Sequence, residues 1–157
     1  MKGSRIVTML KSLVVVCCIA VAGLRAHEAY SGQVEVQTLL KTSVDAAGHA
    51  IVYPTKGTAQ VTGMVVEVPV GQNTGWHLHP VPCVAYVLNG DIDVEDATGV
   101  RRHYHAGSCF AELINTRHCG YNVGSTPVKL IFFAMGVAGK PISTKSVRPE
   151  ALSREVP

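Results

Sequence analysis

The sequence predicts an all-β fold, a sandwich or a barrel, and three observations carry that reading. Beyond residue 30 the chain shows short β-branched runs in place of a helical period. Glycine-bearing breaks at Gly71, Gly90, Gly99, Gly107 and Gly124 separate the runs at hairpin-like intervals. Several runs alternate apolar and polar residues, as a half-buried strand does.

Taken in order, the runs are QVEVQTLL (33–40), AQVTGMVVEVPV (59–70), CVAYVL (83–88), DIDVED (91–96), VRRHYH (100–105), CFAELI (109–114) and PVKLIFFAM (127–135). In AQVTGMVVEVPV and DIDVED every second residue is apolar, so each should bury one face and wet the other. The polar, proline-bearing KPISTKSVRPEALSREVP reads as a strap ending in a tail. At 157 residues the chain suits one domain, with enough short strands to enclose a small interior.

The first 26 residues read differently. Lys2, Arg5 and Lys11 precede an apolar stretch, Leu13–Ala22, and Leu24-Arg25-Ala26 offers a small-residue cleavage site. This is the pattern of a secretory leader cut after Ala26, so the protein is expected to be exported, periplasmic or secreted, with no stable membrane association afterwards. The apolar stretch is short for a membrane anchor, and bulky Val16 before Cys17 argues against a lipoprotein. The expected division is therefore 1–26 leader, 27–57 N-terminal strands and connection, 58–138 barrel core, and 139–157 strap and tail.

Charge follows the same cut. The leader holds four of the 14 Lys and Arg and no acidic residue, leaving ten basic against 11 acidic, a net charge of −1. Nothing in that balance points to nucleic acid. Of the five cysteines, Cys83, Cys109 and Cys119 remain, an odd number in a compartment that permits disulfides. Cys109 and Cys119 flank a turn between strands expected to pair, facing outward, where a surface disulfide is one outcome and free thiols the other.

The chemistry concentrates in GQNTGWHLHPVPCVAYVLNG, residues 71–90. His77 and His79 are two apart, so on a strand both imidazoles leave the same face. Trp76 and Leu78 flank them, and Pro80-Val81-Pro82 turns the chain into an apolar strand headed by Cys83. A neighbouring strand would bring the Cys83 sulfur to the same point, and His118 in NTRHCGYN is a fourth candidate ligand. Glu112, six residues before His118, turns inward if Phe110 does. There it would serve as a proton acceptor, an outer partner of a ligand or a further ligand; a one-residue bulge would turn it outward. His103 and His105 repeat the His-x-His spacing beside Arg101 and Arg102, which marks an outer, solvated strand. His27 would become the amino terminus after cleavage, where amine and ring can chelate copper.

These spacings resemble the cupin superfamily. Gly71, five residues, His77-x-His79, three residues, Cys83, six residues and Gly90 reproduce its first motif, with Cys83 where glutamate is usual. Gly99, five residues, His105-x-Gly107, then His118 and Asn122 reproduce the longer form of its second motif, with His105 in place of proline. The resemblance spans Thr58–Gly136 and implies a single-domain cupin-type jelly-roll barrel holding one divalent metal. Carried over, it gives His77, His79 and His118 as nitrogen ligands and Cys83 at the carboxylate position. A thiolate there shifts preference from Mn toward Fe, Zn, Ni or Cu. A second form of the resemblance, to thiol dioxygenases, has three histidines and a non-ligand cysteine cross-linked to tyrosine, for which Tyr86 and Tyr121 are candidates.

Two functions are consistent with this reading. One is a metal-dependent enzyme of dioxygenase, isomerase or lyase type acting on a small molecule through open metal positions. The other is a closed His3Cys module that binds a metal or small ligand without turnover. Homodimerisation is a further expectation of the resemblance.

Overall fold

The computed structural model describes residues 34–153. The leader and its cleavage site lie outside them, as do His27 and the last four residues. The chain divides into a unit ending at Val36 and a unit Gln37–Pro157, and the architecture below belongs to the second. No helix among the described residues is long and apolar enough to cross a membrane.

The fold is an all-β jelly roll of two antiparallel sheets. The strands are β1 (Ala59–Val68), β2 (His77–Leu78), β3 (Cys83–Asn89), β4 (Asp91–Asp96), β5 (Arg101–His105), β6 (Cys109–Ala111), β7 (His118–Asn122), β8 (Val128–Val137) and β9 (Thr144–Lys145), followed by the single turn α1 (Glu150–Ser153). One sheet has the order β1-β8-β3-β6, the other β5-β4-β7-β2-β9. The inner faces meet in a core of Ala85, Val87, Ile92, Val94, Leu113, Val128, Leu130 and Phe132. Full burial of a side chain such as Ile92 or Leu113 contributes about 1.5–3 kcal/mol relative to exposure.

Most of the predicted runs are strands. In β8 every second residue from Val128 to Ala134 is buried, and in β4 Ile92 and Val94 face the core. Gly90 turns β3 into β4 at φ 82°, and a Cβ there would meet the Pro127 carbonyl oxygen at 3.0 Å, so glycine is required twice over.

Four expectations need correction. The residues of QVEVQTLL that are described, 34–40, form no strand, and Val34, Val36 and Leu39 are exposed. β1 does not bury one clean face: it is an edge strand, and only Val68 is fully buried. Cys109 and Cys119 are not on paired strands, because β6 pairs with β3 whereas β7 pairs with β4 and β2; both thiols are free. Cys119 does project from the outer face, yet the loop at 71–76 covers it and leaves it buried.

The second-motif residues explain themselves locally. Asn122 donates through Nδ2 to the Val68 and Thr126 carbonyls and accepts from the Gly124 amide, bracing the turn into β8. His103 is exposed and lies 2.7 Å from Asp93, on the outer, solvated strand expected for it; His105 is exposed too.

Candidate metal centre

β2 is only two residues long, and its place is fixed from both sides. His77 pairs with His118 of β7 on one side and with Lys145 of β9 on the other. Directly opposed residues of an antiparallel pair share a face, so His77 and His118 project together into the space between the sheets. His79 follows two residues later on the same face. It is locked by the Asn115 amide donating to its carbonyl, and Asn115 takes the left-handed φ of 51° that Asn tolerates.

The ring centroids of His77 and His79 are 4.9 Å apart, of His77 and His118 4.4 Å, and of His79 and His118 5.2 Å. One ligand nitrogen from each lies within 4.8 Å of the other two. Each ring is tied by Nδ1 to a backbone carbonyl at 2.8 Å: His77 to Gly75, His79 to Ile142, His118 to Thr116. A carbonyl only accepts, so each Nδ1 carries the proton and each Nε2 is left with its lone pair. This is the outer support that metal-binding histidines usually have.

The Nε2 of His118 tests the fit. It is buried and has no hydrogen-bond partner, where buried polar atoms are almost always paired. A lone pair held in that state, beside two more, suits a divalent transition metal. Burial pulls His79 and His118 down to about 4 and also lowers His77, so all three rings are neutral at neutral pH.

Glu112 stands beside this trio. It follows β6 directly, its amide donates to the Cys83 carbonyl, and its carboxylate Oε2 lies 3.7 Å from Nε2 of His118. Burial raises its carboxyl to about 7. The inward orientation therefore holds, and no bulge turns it to solvent.

Cys83 is not brought to the trio. It faces inward and is buried, but its thiol donates to the Val81 carbonyl at 3.3 Å, and the residue is not part of the group whose ligand atoms converge. A cysteine sulfur stops well short of where a glutamate carboxylate would end, so matching the motif position does not match its reach. Burial, and then the Glu112 charge, push the thiol to about 12. The preference for softer ions rested on that sulfur. With nitrogen from three rings and oxygen from Glu112 nearby, that argument against Mn falls away. Tyrosine partners for Cys83 fail as well: Tyr86 leaves the opposite face of β3, and Tyr121 lies on the outer face of β7 next to Cys119.

The three rings open onto a cavity of about 600 Å³, walled by Val66, Trp76, Ile92, Leu130 and Phe132 among others. Its size is that of a small-molecule site.

A cupin-domain family model matches residues 64–134, the stretch that contains all three histidines, Cys83 and Glu112. The chain belongs to the cupin superfamily. Among solved structures, this cupin is similar to the DMSP lyase DddQ from Ruegeria pomeroyi at 16% identity and TM-score 0.48, over 55% of this chain and 43% of the lyase. It is also similar to a conserved double-stranded β-helix protein from Klebsiella pneumoniae, at 22% identity and TM-score 0.47, over 60% and 84% of the two chains. An oxalate decarboxylase from Lactobacillus farciminis in a formate complex matches at 18% identity and TM-score 0.48, over 65% of this chain and 29% of that one. The cupin thus aligns with less than half the length of the lyase. Among curated proteins no match was found.

Three contributors to the centre carry no sequence signal: the carbonyls of Gly75, Thr116 and Ile142. Every residue has a carbonyl, and only the fold selects these. Lys145 was missed for a related reason, since its place beside His77 depends on a register set 68 positions along the chain.

Proposed function

We propose that this chain is an exported cupin that binds one divalent transition metal through His77, His79 and His118 and acts on a small molecule. One observation carries the reading: three Nε2 lone pairs, each fixed by an Nδ1 hydrogen bond, converge in the lining of a mostly apolar cavity. A metal held there would supply Lewis-acid or redox chemistry to a molecule in the cavity.

The chain's own residues do the rest. Val66, Ile92, Leu130 and Phe132 exclude water and take up the apolar part of a ligand. Glu112, with its carboxyl raised to about 7, holds or accepts a proton beside Nε2 of His118. The alternative of a closed His3Cys module loses its support because the Cys83 thiol points to Val81. Export is supported by the leader pattern alone.

Elemental analysis of untagged protein recovered from the exported fraction tests the metal, and the mass of that protein tests cleavage after Ala26. Azide added to cobalt-loaded protein tests for open positions. A perturbed visible spectrum is expected, and an unchanged one would favour a binding module. Oxygen consumption is the first turnover assay.

A further inference from the structure

Lys145 lies opposite His77 in the β2–β9 ladder. Opposed residues of an antiparallel pair project from the same face, so the Lys145 side chain follows that of His77 and lines the same cavity. It is exposed, and among the described residues no carboxylate pairs with it; the lysine ion pair that is formed joins Lys129 to Glu67. The β9 segment is held in register on both sides of it, by Thr144 opposite Leu78 and by the Ser146 amide donating to the Trp76 carbonyl. The cation is therefore anchored at its backbone, free of any ion pair at its tip, and set in the lining of a mostly apolar cavity that also holds Glu112, Thr74, Ser143 and Ser146.

A charge in that setting discriminates. Low-dielectric walls concentrate its field toward the opening and raise the local concentration of anions. Val66, Ile92, Leu130 and Phe132 in the same lining reward burial of an apolar body. We infer that the cavity takes a monocarboxylate with an apolar body, its carboxylate received by the Lys145 ammonium. Cationic groups are disfavoured beside Lys145. The inference names the substrate class of the site proposed above and rests on that reading of the cavity.

The test uses the full mature chain loaded with metal, with phenylacetate and its neutral isostere phenylacetamide as probes in isothermal titration calorimetry. Wild type is expected to bind the acid at least tenfold more tightly than the amide. Since a metal also attracts carboxylates, the deciding comparison is between Lys145→Met, expected to lose most of that preference, and Lys145→Arg, expected to keep it. Metal content is measured for each, and because Lys145 is exposed and touches no ring nitrogen, all three should hold the same amount. A Lys145→Met protein that keeps both its metal and its preference for the acid would overturn the inference. Equal binding of acid and amide by wild type, or no binding of either, would overturn it too. If wild type takes up no metal, the metal reading fails, and the acid-to-amide ratio across the same three proteins still decides the role of Lys145.

Discussion

Oε2 of Glu112 lies 3.7 Å from Nε2 of His118, just beyond hydrogen-bonding distance, and that nitrogen has no other partner. The pair is poised without being joined. Something inserted between or beside the two atoms would satisfy both, which is the basis of the first prediction.

Glu112→Gln should weaken metal binding by about 10–100-fold while leaving the fold intact, because its carboxylate faces Nε2 of His118, the nitrogen left open to a metal, and the negative charge beside it is lost. Competition with a fluorescent chelator reads the affinity directly.

His118→Ala should abolish stoichiometric metal uptake, whereas Cys83→Ser should retain it. The thiol is bonded to the Val81 carbonyl and not to the site. Elemental analysis of both variants separates the two ligand sets, because a Cys83→Ser protein stripped of metal would return the sulfur to the centre.

Asn73 holds the turn that aims His77. Its Oδ1 accepts the Gly75 amide at 2.9 Å, and the Gly75 carbonyl accepts Nδ1 of His77 at 2.8 Å. Asn73→Ala should cost about tenfold in metal affinity by loosening that ring, with little change in melting temperature.

The pH dependence of the metal-free protein has two opposed parts. His79 and His118 are held at about 4, below their ordinary 6.5, so they add stability above 6.5 that is lost as pH falls toward 4. Glu112 is raised from 4.5 to about 7, so its contribution is present below 4.5 and lost as pH rises through 7. Glu112→Gln removes only the second part. Its melting temperature should therefore climb more steeply than that of wild type as pH rises from 4.5 to 6.5.

Asp45 contributes to the more acidic limb, as does Asp96, which is also lowered. Burial alone would raise the Asp45 carboxyl, but the amides of Ile114, His49 and Ala47 outweigh it and hold the group below 3.8. That stability is present above 3.8 and is lost as pH falls through the lowered value. Asp45→Ala strands the Ile114 amide and should cost about 1–3 kcal/mol, measured by urea unfolding at neutral pH.

How much of this was legible in the sequence depends on what each residue is asked to do. Short β-branched runs located β3 and β8, and period-two alternation located β4, whose Ile92 and Val94 face a dry core. The run at 34–40 has no partner strand among the described residues. His77, His79 and His118 could be read from spacing because a ligand's identity is chemical. Cys83 misled for the same reason in reverse: spacing reports which way a side chain faces, but not how far it extends. For Glu112 the sequence left inward and outward orientations open, and its nearness to His118 depends on how the loop after β6 crosses to β7.

The hydrogen bond from His79 to Ile142 joins residues 63 positions apart. A short peptide bearing His-Leu-His would grasp any available ion in many poses. In this chain the second ring is aimed by a carbonyl from the segment leading into β9, a contact between distant parts of the sequence that no short peptide could supply.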